Sequence, residues 1–340
     1  MNSSKVTKRG LEGARPGREA LPGAKRPSRR ADTGGRRGLR RDRLDGEQPR
    51  SYYGLPVLNK PVWEAREIAG YLFLGGLAGA SSLVALGAQV TGRPGLARAA
   101  KAGAAGAAAL SLAALVKDLG RPGRFLNMLR VFKPTSPMSV GTWILSGYAS
   151  AATAAAASDL TGIWPAAGRA ATGVSATLGP AVASYTAVLI ADTAVPAWHD
   201  AHREMPFLFV SSAATAAAGL GLICAADSEA TPVRRLAVLG ATGELAAETL
   251  LELRLEPVVR RAYEEGRAGT LLRASKVLSA AGGLAAALGG GFRPVRVAAG
   301  AALLAASACT RFGVFHAGVA SAEDPAATIE PQRARAARAA

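Results

Sequence analysis

Residues 68–92, IAGYLFLGGLAGASSLVALGAQVTG, run for 25 positions without one charged side chain. A helix needs roughly 20 such residues to cross about 30 Å of hydrocarbon, so this stretch predicts a membrane span. Pro134–Ser158, Ala170–Ala191 and Met205–Ala226 reach the same length. Ala102–Val116, Val277–Phe292 and Val297–Thr310 are shorter, and span when flanking Lys or Arg side chains extend to the headgroups. Leu236–Leu253 also fits, although it carries Glu244 and Glu248. The expected fold is an all-α membrane protein of eight transmembrane helices. Backbone polar groups in hydrocarbon must bond within the protein, and the alternation of a lipid-facing barrel is absent. Small-residue spacings, Gly75-Gly76-x-x-Gly79 and Gly103-x-x-Gly106, allow close helix approach.

Composition points the same way. The chain is 49% hydrophobic, 5% aromatic and 19% charged, and its apolar content is largely Ala punctuated by 40 glycines, which suits tightly packed helices in lipid. The net charge of +17 is concentrated at one end. Residues 1–50 hold 15 Lys/Arg against 6 Asp/Glu, with 12 Gly/Pro and almost no large apolar residues, so they predict a disordered basic tail. Three regions are expected: this tail, an eight-helix domain over 51–320, and a polar C-terminal tail over 321–340. The tail has no apolar core or small-residue cleavage site of a secretory signal. It also lacks the aromatic interleaving of a nucleic-acid binder, so its role is to fix topology and touch anionic lipid. An even number of spans puts both termini on one side, and only 8 of the 41 Lys/Arg fall on the other. The positive-inside rule then makes the termini cytoplasmic and the chain a multi-pass protein of the cell membrane.

Ionisable residues inside spans are costly and tend to face the bundle interior. Glu64, Glu67 and Tyr71 follow i, i+3, i+7 spacing at the start of the first span. On the fourth, Tyr185 lies about 10 Å deeper than Asp192 by helical rise. Asp118 ends the second span, and Trp143 sits a turn or two into the third. Four consecutive helices thus aim carboxylates and rings at one layer near the N-terminal face. A quinone headgroup requires this chemistry: hydrogen bonds to two carbonyls, a flat wall, and a carboxylate in proton exchange with water. Plainer readings stand beside it. Trp63, Tyr52 and Tyr53 suit interfacial anchoring. Glu64 and Glu67 suit pairing with Arg66 or the tail, and Asp118 suits a turn where it pairs with Arg121 or Arg124.

On the sixth span Glu244, Glu248 and Glu252 form a stripe of carboxylates from mid-membrane to the N-terminal face. With Asp192 they are candidates for a proton path, and Arg254, Arg273 and Lys276 are candidates to offset their charge. The stripe also supports an alternative, a transporter or proton-conducting protein, although no internal repeat is evident in the sequence. The three histidines, His199, His202 and His316, lie at no depth suited to a buried haem, and Cys224 and Cys309 are too few for an iron–sulfur cluster. No haem, cluster or other metal site is expected in this chain, so electrons must come from or go to a partner.

These residues resemble a known family. Tyr52-Tyr53-Gly54-Leu55-Pro56, followed by Trp63 and by Tyr71–Gly79, is similar to the start of the first helix in the NrfD/PsrC family, the integral membrane subunits of polysulfide reductase-type molybdoenzymes. The likeness continues through Asp118-Leu119-Gly120-Arg121-Pro122-Gly123-Arg124 to Arg130, Ser136-Pro137-Met138-Ser139-Val140-Gly141-Thr142-Trp143, Tyr185-Thr186-Ala187-Val188-Leu189, and Pro196-Ala197-Trp198 with Pro206. It covers about residues 51–225. The resemblance implies an eight-helix anchor that binds menaquinone or ubiquinone among its first four helices. It also implies a ferredoxin-like iron–sulfur subunit as the docking partner, wired to a molybdopterin catalytic subunit. The family's helix-4 pocket tyrosine falls on Tyr185 and its helix-2 terminal acid on Asp118. Where some members carry a histidine before helix 1, Trp63 and Glu64 stand here. Arg121 and Arg124 are implied to shape the docking surface or to pair with Asp118. Many relatives face their partner outside the cytoplasm, whereas the charge count places this face inside.

Overall fold

The structure, a computed structural model, describes residues 5–7, 10–12, 57–59, 61, 63–118, 123–289 and 291–339. Most of the tail expected to be disordered lies outside the described residues. Within it, β1 (Lys5–Thr7) and β2 (Gly10–Glu12) form a short antiparallel pair with Val6 opposite Leu11. Every other regular element described is helical.

Among the described residues eight helices are long: α1 (Ala65–Val90), α2 (Pro94–Asp118), α4 (Pro137–Thr161), α5 (Pro165–Ala191), α7 (Met205–Cys224), α8 (Thr231–Arg254), α10 (Gly266–Leu288) and α11 (Arg293–Glu323). Between and after them lie short helices, α3 (Gly123–Met128), α6 (Pro196–His199) and α9 (Pro257–Glu264), and the terminal α12 (Pro325–Ala339). Prolines mark many of the starts: Pro94, Pro137, Pro165, Pro206, Pro232 and Pro294 all stand in a first turn, where a missing N–H costs nothing. The α4–α5 turn ends α4 at Gly162, whose φ of 73° is left-handed, and then carries Trp164 at φ 49° into Pro165. Six of the long helices are long and apolar enough to cross a membrane. The other two match them in length but not in composition: Ser, Thr, Gly and Tyr dilute the apolar content of α4, and Glu244, Glu248 and Glu252 charge α8. One boundary differs from expectation in a telling way. The last charge-free run stops at Thr310, yet α11 continues for 13 residues beyond it, with Arg311 fully buried in its middle.

The long helices close into two rings of four. In the first, α1 packs on α2, α2 on α4, α4 on α5, and α5 back on α1; in the second, α7, α8, α10 and α11 follow the same order. The rings join mainly where α1 meets α7 and α11 and where α5 meets α7. Glycine sets the closest approaches. An added Cβ on Gly79 of α1 or Gly179 of α5 would run into the backbone of the other, and Gly219 of α7 and Gly300 of α11 are matched in the same way. The interior is built chiefly of Ala with scattered Leu and aromatic rings, whereas Leu110, Leu239, Val277 and Leu284 point outward. An outward coat of large apolar side chains is what lipid requires and water disfavours.

Candidate functional site

Chain direction decides which helix ends meet. α1 and α4 begin, and α2 and α5 finish, at the end of the first ring that faces the N-terminal segment, so the polar residues at those four ends share one layer. A cleft of about 100 Å³ opens there, lined by Trp63, Ile68, Tyr71, Leu72, Leu115, Asp118, Met128, Met138, Thr142, Tyr185, Leu189 and Ile190. Its volume is of the order of the ~150 Å³ cavity that accepts a benzene ring in an apolar protein core. The lining is mostly apolar and holds one carboxyl group, that of Asp118. Tyr185 is partly buried and pressed against Gly141 of α4, where any Cβ would occupy its ring. Among the described residues its hydroxyl has no hydrogen-bond partner. Trp63 stacks on Trp198, with ring centroids 5.8 Å apart and planes 24° from parallel. Trp198 is itself anchored by donating its indole N–H to the Val314 carbonyl at 2.8 Å. Tyr71 is held through its backbone, whose carbonyl accepts from Ser111 on α2 at 3.2 Å.

Four of the expected residues, Trp63, Tyr71, Asp118 and Tyr185, therefore come together in one cleft. Others do not. Trp143, expected in the wall, is turned outward and meets Phe132 edge to face at 6.3 Å. The neighbouring Thr142 takes the wall position. Glu67 lies beside the cleft without lining it, and its expected partner Arg66 is replaced by Lys117, 2.9 Å away. The Lys117 side chain is largely exposed, so this pair adds little to stability. Glu64 is not among the lining residues. Asp192 caps the end of α5 in an exposed position and is not among the lining residues. Arg121 lies outside the described residues, and of Arg124 only the backbone, within α3, is described. Sequence reasoning missed Thr142, Met128 and Met138. The signals that could have found them are the Asp118–Arg130 and Ser136–Trp143 stretches in which they stand and, for Met138 and Thr142, their spacing of one turn on α4.

The carboxylates of α8 lie in the second ring, not at the cleft. Glu244 is fully buried and accepts hydrogen bonds from Thr310 at 2.7 Å and Ser279 at 2.8 Å. Thr310 is in turn 2.6 Å from Ser275. Arg311, also fully buried, donates to the Phe209 carbonyl at 2.6 Å and lies 3.7 Å over the Phe209 ring. Gly76 on α1 leaves room for its guanidinium. Such a cation on an aromatic face, satisfied in part by a helix carbonyl, is how an arginine survives inside a bundle. Among the described residues no group of three or more His, Cys, Asp or Glu is arranged to hold a metal ion.

Residues 56–242, more than half of the 340, match the family model described as Polysulphide reductase, NrfD. No individually curated protein matches the chain.

Proposed function

The chain belongs to the polysulphide reductase NrfD family and is a multi-pass membrane protein, and on that premise we propose that it is the quinone-reactive anchor subunit of a respiratory molybdopterin oxidoreductase. In this reading α4 and α8 cross the membrane with the other six long helices, and both termini are cytoplasmic. Reducing equivalents pass between the terminal iron–sulfur cluster of a ferredoxin-like partner and menaquinone or ubiquinone in the first-ring cleft. A molybdopterin subunit beyond that partner carries out the substrate chemistry, so the chain alone does not turn over.

The observation that carries this reading is the Tyr185 hydroxyl, unpartnered among the described residues in a mostly apolar cleft that also holds the Asp118 carboxyl. A hydroxyl with no acceptor in a mostly apolar cleft is placed to donate, and a quinone carbonyl supplies the acceptor. Tyr185 would donate to that carbonyl, Trp63 and Tyr71 would flank the ring plane, and Asp118 would exchange protons between the headgroup and water at the N-terminal face. Glu64 and Glu67 would extend that relay, and Arg121 and Arg124 would meet the docked partner. Each quinone reduced takes up two electrons and two protons. The Tyr185→Phe, Asp118→Asn double variant of the assembled complex is expected to lose about 10- to 100-fold in quinone-linked turnover, one to two hydrogen bonds' worth of transition-state stabilisation. Dye-linked activity of the partner subunits should be unchanged. Wild-type quinone turnover in that variant would count against these roles.

The alternative, a transporter or proton-conducting protein using the α8 carboxylates, is favoured by the polar interior of the second ring. It needs a route through to the opposite face. Residues 297–306 of α11, between Arg296 and Ser307, are only Ala, Gly, Val and Leu. Substrate uptake by proteoliposomes of the chain without a redox partner would favour it.

A further inference from the structure

The second ring repeats the helix order of the first, but where the first leaves a cleft the second encloses charge. Its three carboxylates lie one turn apart along α8. At the outer end, both oxygens of Glu252 accept from Lys276 Nζ at 2.8 Å, and both side chains are partly exposed. One turn deeper, Glu248 is 2% exposed and neither of its oxygens has a hydrogen-bond partner among the described residues. Its nearest cation is the same ammonium, at 4.0 Å, already committed to Glu252. A further turn in, Glu244 is satisfied by the hydroxyls of Thr310 and Ser279.

The ionisable groups facing this line from the packed elements are few. α10 presents Lys276, while its Arg273 turns away to the Glu264 carbonyl. From α11, Arg311 and the Cys309 thiol are close enough to Glu244 to feel its charge. Arg254, at the end of α8, is paired with Glu204 instead. On α7 the only ionisable side chain is Cys224, at the far end. The cluster thus sets three carboxylates against two cations. One carboxylate is in excess, and Glu248 is the one that no donor satisfies. An unpaired carboxylate buried in a bundle neutralises itself by binding a proton rather than remaining charged.

We infer that Glu248 is a proton-loading site, filled from water at the N-terminal face by way of Glu252 and Lys276. The proton leaves water at the mouth and binds one Glu248 oxygen, and nothing is oxidised or reduced. The apolar stretch of α11 closes the line toward the opposite face, so the site stores a proton on one side rather than conducting it across. This site lies beyond residue 242, outside the matched family region, and does not rest on the quinone reading.

Dicyclohexylcarbodiimide, an apolar reagent that attacks carboxyl groups in their protonated form, tests this on the purified full chain in lipid nanodiscs without quinone or partner. Peptide mass spectrometry of the wild type should find the main adduct on Glu248, with Glu252 spared. Once the group deprotonates, the yield should fall about tenfold for each unit of rising pH. Lys276→Gln should open Glu252 to labelling while Glu248 stays labelled, because the ammonium that covers both Glu252 oxygens is gone and Glu248 still has no donor. Glu248→Gln should lose the adduct. Labelling confined to Glu244 or Glu252, labelling that ignores pH, or a folded chain unlabelled at Glu248 while the detergent-unfolded chain is labelled there would each overturn the inference.

Discussion

Thr142→Phe is expected to lower quinone-linked turnover of the assembled complex by about a hundredfold, close to 3 kcal/mol of lost binding. Thr142 is almost fully buried, lines the cleft, and donates its hydroxyl to the Met138 carbonyl within its own helix at 2.8 Å. Its removal therefore leaves no other helix with an unpaired group. A benzyl group at this position takes up most of a cleft of about 100 Å³. The ring that would otherwise be bound is excluded without any change to Tyr185 or Asp118. The cost to folding stays near the ~1–3 kcal/mol of ordinary overpacking, because the cleft is open on one side. Turnover measured with a soluble dye at the partner subunits should be untouched, which separates a blocked cleft from a failed assembly. Quinone turnover within twofold of wild type would place the reaction elsewhere.

Arg311→Met is expected to destabilise the folded chain by about 3–5 kcal/mol, the cost of breaking a buried charge arrangement by removing one partner. The guanidinium is fully buried between α11, α7 and α1, bonds the Phe209 carbonyl and covers the Phe209 ring. It also offsets the charge of Glu244, which has only hydroxyl donors of its own. Methionine fills much of the same space but leaves Glu244 without a cation. Adding Glu244→Gln should recover a large part of the loss, since the two residues are coupled and their effects will not add. Denaturation of the detergent-solubilised chain measures both variants. Additive losses would mean that Arg311 acts through Phe209 alone.

Much of the bundle was legible because hydrocarbon tolerates so few solutions. Charge-free runs located seven of the eight long helices, α8 being marked by an apolar run that carries Glu244, Glu248 and Glu252, and prolines in first turns marked many of their starts. The layer containing Tyr71, Asp118 and Tyr185 was legible from depth alone, since helical rise places those residues at one level whatever the rotation of each helix. Rotation was not legible. Small residues run through α4 and its large apolar side chains Trp143, Ile144 and Leu145 are consecutive, so nothing in it distinguishes the face carrying Thr142 from the face carrying Trp143. The partner of Glu67 depended on the same missing information, because Lys117 approaches from another helix. Arg311 was passed over because a charge ordinarily ends a span, and only the stacking on Phe209 explains why this one does not. The shared order of the two rings leaves no trace in the sequence: Ala and Gly interiors accept many substitutions among small residues while keeping the same packing.

The central claim is that the first-ring cleft holds the quinone, and photolabelling tests it most directly. A short-chain quinone bearing an azide, irradiated in the assembled complex and mapped by peptide sequencing, should label peptides containing Trp63–Leu72, Met138–Thr142 and Tyr185–Ile190, with excess natural quinone suppressing the adducts. Suppressible labelling confined to α7, α8, α10 or α11, with these peptides unmodified, would contradict the account.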